Sequence, residues 1–434
     1  MNALSTIAAD KGIKYFLVSF SDLRGVQRAK LVPAASIDRI AEQGAGFAGF
    51  ATWLDMTPAD ADMLAMPDAS SLIQLPWKPE VAWLAGELVM NSKTVEQSPR
   101  RVLIRQLERA RKLGYSVKTG VECEFFVLSP EGNALGDSRD YQSKPCYDQQ
   151  SLMRRYDLIS KICDCMLQLG WGPYQNDHED ANGQFEMNWD YGDALVTADR
   201  HAFFKYMVKS LAEAEGLRAT FMPKPFANLS GNGCHVHMSL WDNATQKNLF
   251  MDETGELGLS RTAYQYMAGL LHHAEALCAI TNPSVNSFKR INGSPTLSGA
   301  TWSPNTISYT GNNRTHMIRI PDVDRFELRL ADGAANPYLL QAVLIASGLD
   351  GIENERDPGP RRDNNMYTEP LPAAEVQRLP SNLLEAVRAL GNNQALSRAL
   401  GAEFVAAYTK LKEHEWHEHH AQISEWERKM TLDC

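Results

Sequence analysis

The sequence predicts an α+β protein in two parts, one spanning residues 1 to about 95 and a larger one spanning 96–434. Three observations carry that expectation. The chain has 434 residues of ordinary composition, 44% hydrophobic and 22% charged, enough for two or more domains and a large core. Short runs that alternate polar and apolar residues recur at 121–128, 184–189, 234–238 and 325–330. A helix start at Ser98-Pro99 follows a first stretch that reads as a small sheet plus a helix.

The elements follow in order. Lys14 to Phe20 reads as a strand, Ser21-Asp22-Leu23-Arg24-Gly25 as its turn, and Val26 to Val32 as the return, stopped by Pro33. A short helix over about Ser36 to Glu42 and a strand over Trp83 to Met90 complete the first part. With Ser98 as N-cap and Pro99 at the first helical position, a helix runs to about Leu113, where Gly114 ends it. Val121 to Leu128 is a strand, and 130–148 is a loop rich in Asp, Ser, Gly and Tyr. Gln150 to Leu169 is one helix, and His178 to Asp190 is a loop leading into a strand. Thr197 caps a helix closed by Gly216. Gly231 to Trp241 is a strand, and Ser260 to Ile280 is one helix. The polar loop over 285–313 is long for a compact domain, which marks it as functional. Strands near 315–320 and 324–330, a helix over Ala334 to Ile352, a polar loop over Asp357 to Pro372 and helices to about Met430 finish the chain.

Charge and cysteine usage narrow the function. The 43 Lys and Arg against 53 Asp and Glu give a net charge of −10, which argues against nucleic-acid binding by bulk charge. Met1 to Lys11 lacks a signal-peptide layout, and no run of 18 apolar residues exists, so no membrane association is expected. The seven cysteines form no framework, and Cys163-x-Cys165 has no second pair, so neither disulfides nor structural zinc are expected. Reduced thiols in the cytoplasm are the simple reading.

Chemistry concentrates on the polar faces of the short strands. Alternate residues share a face, so Glu122 and Glu124 point one way. Two carboxylates in an otherwise apolar strand either face solvent or meet a cation. Gln184, Glu186 and Asn188 share a face, as do His235 with His237, and Arg325 with Glu327 and Arg329. A solvated outer face would explain one such strand. Repeated Glu, His and Arg on four of them fit a common interior channel better. Glu and His ligate Mg²⁺ or Mn²⁺. Arg290, Arg314, Arg319, Arg325 and Arg329 offer planar forks for phosphate or carboxylate.

These residues fall in a pattern that resembles glutamine synthetase nearly end to end. The matching pieces are Asp62-Met63 with Met66-Pro67-Asp68-Ala69-Ser70, Glu122-x-Glu124, Glu179 with Gly183-Gln184-Phe185-Glu186, and Met222-Pro223-Lys224-Pro225. Further on come Gly233-Cys234-His235-Val236-His237-Met238-Ser239-Leu240, Asn282-Pro283 with Asn286-Ser287-Phe288-Lys289-Arg290, and Asn313-Arg314. Ile318-Arg319-Ile320-Pro321, Arg325-Phe326-Glu327-Leu328-Arg329 and Ala334-Ala335-Asn336-Pro337-Tyr338 complete the set. The type III or γ-glutamylmethylamide synthetase branch is the nearest in pattern.

The resemblance implies an N-terminal β-grasp-like domain and a catalytic domain built on a curved antiparallel sheet flanked by helices. It implies ATP as co-substrate, L-glutamate and a small amine as partners, and two or more Mg²⁺ or Mn²⁺ per site. It implies a homo-oligomer, a dodecamer of two stacked rings with active sites between subunits. Glu124, Glu179 and Glu186 resemble the ligands of the metal nearer glutamate, and Glu122, His235 and Glu327 those of the metal nearer the phosphates. Arg290 and Arg329, with Gly231 beside them, resemble the glutamate clamps. Arg314 and Arg319 resemble phosphate contacts, and His237, Ser239 and Arg325 fall where the family meets ATP. The implied reaction passes through a γ-glutamyl phosphate that a neutral amine attacks, so the arriving ammonium-type cation must lose a proton.

The sequence departs from the pattern at the amine. Where glutamine synthetases carry an acid fourteen residues before the Asp-Met pair, this chain has Ala48-Gly49-Phe50-Ala51. A second acid, six residues past the Lys-Arg pair, is replaced by Thr296. Asp177, before His178-Glu179, is the candidate proton acceptor, with Glu186 assisting; the plainer reading of Asp177 is a backbone cap. An apolar lining favours methylamine over ammonia, since burying one methyl contributes on the order of 1 kcal/mol. Ammonia, a longer polyamine and an aromatic amine stay open, as does a silent structural relative, which the presence of every expected ligand disfavours. His414, His417, His419 and His420 crowd the last helix, where Trp416, His420 and Ile423 read as a packing stripe. Tyr367 is either a loop aromatic or, by resemblance, a modification site.

Overall fold

The computed structural model describes residues 3–296, 298–372 and 374–434. The chain opens with a helix, α1 (Ala3–Lys11), that the sequence reading missed. It buries Leu4 and Ala8 and stops at Gly12, whose φ of +67° only glycine takes readily. The hairpin β1 (Tyr15–Ser21) and β2 (Gln27–Pro33) turns where expected, and α2 (Ile37–Gln43) follows. Five further strands, β3 (Ala45–Phe47), β4 (Met63–Pro67), β5 (Ile73–Gln74), β6 (Val81–Met90) and β7 (Lys93–Thr94), complete a seven-stranded sheet. Its order is β2-β1-β6-β4-β3, with β5 and β7 on β6, and β1 and β6 run parallel. This is the β-grasp-like unit.

Next comes α3 (Pro99–Lys112). Ser98 stands at its N-cap, but its hydroxyl makes no capping bond; Pro99 alone supplies the start signal. The catalytic strands form two curved sheets rather than one. Strand β8 (Tyr115–Cys123) begins six residues before the expected start, and the chain breaks at Glu124 before β9 (Phe125–Leu128). The expected helix over 150–169 is two, α4 (Gln149–Arg154) and α5 (Tyr156–Gln168), parted at Arg155, whose guanidinium donates to the Gly136 carbonyl. The expected loop at His178 is the end of a strand, β10 (Pro173–His178), which pairs with β11 (Gln184–Trp189). After β12 (Gly192–Asp193), α6 (Ala194–Ala214) starts before Thr197, so Thr197 is not its cap; the threonine donates instead to the Thr119 carbonyl at 2.8 Å.

Strands β13 (Arg218–Thr220) and β14 (Cys234–Asp242) follow. The expected helix over 260–280 breaks at His273 into α7 (Arg261–His272) and α8 (Ala274–Thr281), because His273 turns aside to Asp350 at 2.9 Å. A short helix, α9 (Ser287–Ile291), stands inside the expected 285–313 loop, which ends at β15 (Tyr309–Thr310). Strands β16 (Ile318–Asp322) and β17 (Arg325–Leu328) and helix α10 (Pro337–Glu353) lie near their expected places. The Asn336 side chain caps α10 through the Tyr338 and Leu339 amides. Helices α11 (Leu383–Asn392), α12 (Gln394–Leu400), α13 (Ala402–His420) and α14 (Glu425–Thr431) close the chain.

Four strands order as β10-β11-β9-β13 and six as β12-β8-β14-β17-β16-β15, all antiparallel except β15 with β16. Helix α10 is buried from Pro337 to Gly351, packed among α3, α6, α7, α8 and α12. In the last helices Trp416 stacks on His420 at 5.6 Å, but Ile423 lies beyond α13 and is 75% exposed, so the stripe does not extend to it. No helix among the described residues is long and apolar enough to cross a membrane.

Candidate active site

Strand register gathers the site. In antiparallel pairs, directly opposed residues share a face. His235 of β14 stands opposite Glu122 of β8, and His237 stands opposite Glu327 of β17. Residues two apart also share a face, so Glu122, His235, His237 and Glu327 converge. His235 Nδ1 lies 3.4 Å from Glu122 and 3.4 Å from Glu327, and His237 Nε2 lies 2.9 Å from Glu122. Glu327 also accepts from Arg319 at 2.7 Å and Arg329 at 2.6 Å.

The break at Glu124 serves a purpose. Its carboxylate turns back to accept the Gly233 amide at 2.7 Å and the Gln184 side-chain amide at 2.8 Å. That leaves its other oxygen 4.0 Å from His235 Nε2. Ligand-type atoms lie within 4.8 Å of one another in three sets here: Glu122, His235 and Glu327; Glu124, Glu186 and His235; and Asp177, Glu179 and Glu186. The first set is the trio assigned to the phosphate-side metal. The trio assigned to the glutamate-side metal is spread over the other two sets, with Glu186 common to both.

The two sides differ in charge. Burial and the neighbouring Glu179 push Glu124 up to about 8. Burial and Asp177 push Glu179 up to about 7. Burial and the charge of Glu122 hold Glu186 well above its usual range and raise Asp177 to about 6. Burial works the same way on Glu327 and is the largest single influence, yet Arg329 together with His235 and His237 outweighs it and draws that carboxyl down to about 2. Burial and Arg329 lower His235 to about 4, so its imidazole is neutral and can donate a lone pair. Among the described residues, no Lys or Arg pairs directly with Glu124, Glu179, Glu186 or Asp177. His235 Nε2, Asp177 Oδ1 and Asn188 Oδ1 are buried without hydrogen-bond partners. A cluster of hard oxygen donors short of positive charge, with a neutral imidazole, fits divalent cations.

That imbalance has a testable consequence. The carboxyls of Glu124 and Glu179 hold protons in the folded, cation-free protein at pH values where an unfolded chain has released them. The folded state then binds more protons, and stability falls as pH rises from about 4.5 towards 8. Thermal melts in chelator should therefore show Tm dropping across that window. Melts with millimolar Mg²⁺ should be flatter, because the cation replaces the protons.

Two cavities meet at Glu122. One of about 350 Å³ is lined by Glu122, Glu124, Asp177, Glu179, Glu186 and His235, with Gly231, Arg314, Arg319, Glu327 and Arg329. The other, of about 240 Å³, holds His237, Ser239 and Arg325 among Tyr174, Trp189, Tyr191 and Trp241.

The comparisons agree with this architecture. Residues 96–431 match the family model for the glutamine synthetase catalytic domain. The chain belongs to the glutamine synthetase family. It is 58% identical over 430 residues to a glutamine synthetase of Rhizobium meliloti, covering 99% of each chain. It is 44% identical over 430 residues to a glutamate–methylamine ligase of Methyloversatilis universalis, covering 97% of this chain and 96% of that one. A solved structure of a GmaS/ADP complex superposes with a TM-score of 0.96 at 61% identity over 100% of both chains. The family is one of ligases that use ATP and divalent metals.

The arginines of this glutamine synthetase relative are placed unequally. Arg314, Arg319 and Arg329 line the larger cavity. Arg290 sits behind Gly231, 3% exposed, with its guanidinium on the Leu330 and Arg329 carbonyls at 3.0 and 3.5 Å. Gly231 is the only residue type that fits between them, since a Cβ would lie 2.3 Å from the Pro223 carbonyl and 3.1 Å from Arg290. The apolar 47–54 segment does not line the cavity of its own chain: Phe50 is 53% exposed, and Trp53 stacks under Arg24 at 3.9 Å. Apolar and weakly polar lining comes instead from Cys146, Tyr147 and Trp302. The Tyr367 hydroxyl is buried without a partner, so modification would require it to swing out.

Sequence reasoning missed three residues. Gly233 leaves the space between Glu124 and His235 open: a Cβ there would lie 2.9 Å from each. Asp140 holds the β10–β11 turn through His178 at 2.6 Å, Asn182 at 2.8 Å and the Gly183 amide at 2.7 Å. Asp180 accepts from Ser230 and, at 2.7 Å, from Ser298, fixing the loop that carries Thr296. Only Gly233 carried a sequence signal, as a glycine inside a matched motif.

Proposed function

We propose that the chain ligates an amine to the γ-carboxylate of L-glutamate at the expense of ATP, with methylamine ahead of ammonia. The observation that carries the reading is the larger cavity, which joins the three carboxylate and imidazole sets to Arg314, Arg319 and Arg329. The base and ribose fit the aromatic chamber beside His237, Ser239 and Arg325. Glu122, His235 and Glu327 would hold one cation and Glu124, Glu179 and Glu186 the other, and the cations would supply charge neutralisation of the phosphates. Arg329 and, past Gly231, Arg290 orient glutamate. Arg314 and Arg319 meet the transferred phosphoryl group. Asp177, with an unpartnered buried oxygen and raised to about 6, is placed to take the amine's proton, with Glu186 beside it.

Support for methylamine comes from the cavity and from likeness. Thr296 stands where an acid is usual and spends its hydroxyl on Ser230 and the Ala300 carbonyl, at 3.2 and 3.0 Å. Tyr147 and Trp302 offer a surface for a methyl group. The GmaS complex and the methylamine ligase relative point the same way. The relative named glutamine synthetase supports ammonia as the second reading, and Asp177 and Asp180 would suit either cation. The division at residue 96 into a β-grasp-like and a catalytic domain belongs to this reading. So does a ring homo-oligomer in which a neighbouring copy's Phe50 segment closes the amine side of the cavity.

Steady-state kinetics with glutamate, ATP, Mg²⁺ and each amine test the proposal. Burying one methyl is worth on the order of 1 kcal/mol, so kcat/KM should favour methylamine by roughly fivefold or more. A preference for ammonia would reverse the ranking. Asp177→Asn should lower kcat by about 10² while leaving the KM for ATP in place; an unchanged kcat would remove Asp177 from the proton path.

A further inference from the structure

The strands that present hard oxygen ligands on one face hide a soft donor set on the other. Cys123 and Cys234 are directly opposed on β8 and β14, and both are fully buried. The Cys234 amide donates to Ala331 rather than to Cys123, and the Glu124 amide donates to Gly233, so the two cysteines form a non-hydrogen-bonded pair. Such pairs bring their side chains closest. His201, on α6 and 1% exposed, points at them with Nε2 4.0 Å from Cys234 Sγ. Its Nδ1 is buried with no partner at all. One ligand atom from each of Cys123, Cys234 and His201 lies within 4.8 Å of the others.

Burying an imidazole with neither nitrogen in a strong hydrogen bond costs free energy. A shared cation would repay it. Zinc–sulfur bonds of about 2.3 Å and zinc–nitrogen bonds of about 2.0 Å place ligand atoms roughly 3.5–4 Å apart, so small side-chain shifts close the set. Two sulfurs and an imidazole select thiophilic cations of the Zn²⁺ or Cu⁺ kind and reject Mg²⁺. We propose that Cys123, Cys234 and His201 form a second metal site, for a thiophilic cation, on the reverse face of the catalytic strand pair. Binding releases the two thiol protons and leaves the imidazole neutral. Lys205, one turn further along α6, is held on the Gly333 carbonyl at 2.7 Å and does not occupy the site. A cation there would pin β8 to β14 directly beneath Glu122 and His235. The proposal does not depend on which amine is the substrate.

The test uses the full chain, reduced with a phosphine, stripped with chelator and held in excess Mg²⁺ to saturate the oxygen ligands. Zn²⁺ should then remain bound at one per chain after exchange into Mg²⁺ buffer. Co²⁺ added in its place should give the near-ultraviolet sulfur-to-cobalt absorption of thiolate ligation. Cys123→Ser and Cys234→Ser should weaken retention by roughly tenfold or more and remove that band, whereas Glu327→Gln should leave it intact. Wild-type protein that retains no Zn²⁺ and shows no sulfur-to-cobalt band would overturn the proposal, whether or not the variants fold. So would a Cys123–Cys234 disulfide in protein purified without reductant.

Discussion

Glu186→Gln should abolish ligation while making the cation-free protein more stable. Glu186 is the one side chain common to the two acid sets on the glutamate side. Glutamine keeps the Asn188 contact, which is 3.1 Å long, but loses the charge that a cation needs. The loss in kcat/KM should be on the order of 10³-fold, the scale for removing a group that stabilises developing charge. Stability should move the other way. Burial and Glu122 hold the Glu186 carboxyl well above its usual range, so at neutral pH its ionisation opposes the fold until a cation arrives. Removing it should raise Tm in chelator, and Mg²⁺ should then raise Tm less than it does in wild type. Calorimetry with and without Mg²⁺, run beside product formation, checks both signs. A variant that is less stable without cation would contradict the account of the acid cluster.

Gly233→Ala should be nearly as damaging with a far smaller change in chemistry. The added Cβ would sit 2.9 Å from Glu124 Oε1, 2.9 Å from His235 Nε2 and 3.1 Å from Arg290 Nη2. Real Cβ atoms do not approach that closely, so at least two of the three side chains must move. Both Glu124 and His235 belong to one ligand set. The Glu124 carboxylate is held by the Gly233 amide itself, so its freedom to retreat is small. Divalent-cation affinity, read by Mn²⁺ titration, should fall by roughly 10–100-fold, and kcat/KM should fall by a similar factor or more. Because the nearest atoms are side-chain ends, the loss of Tm should be modest. Wild-type Mn²⁺ affinity in this variant would show that the gap at residue 233 has no role in holding the cation.

The sequence disclosed the site better than the scaffold around it. Period-two alternation places Glu122, His235, His237 and Glu327 on one face, and the observed register needs nothing more to bring them together. Helix α10 was legible as an element, but its start was expected at Ala334, three residues before the Pro337 start that the Asn336 cap fixes. What escaped was decided by tertiary contacts. The break at Glu124 depends on the Gly233 amide, 109 residues away in sequence. The kinks at Arg155 and His273 exist because those side chains bond to Gly136 and Asp350 across the fold. Strand β10 carries Tyr174, Gln175, Asn176 and Asp177, a mostly polar run to which the sequence assigns no element and which is set as a strand by its pairing with β11. Asp140 gave no local sign of holding the turn between those strands, since its partners are 38 to 43 residues further on. The apolar 47–54 segment was read correctly as apolar, but a single chain gives it no place in the cavity.

Anomalous diffraction from crystals grown with Mn²⁺ and a non-hydrolysable ATP analogue tests the central claim most directly. Two peaks should appear on opposite sides of His235, one among Glu122, His235 and Glu327, the other among Glu124, Glu179 and Glu186. A map with no peak within bonding distance of those six side chains would contradict it.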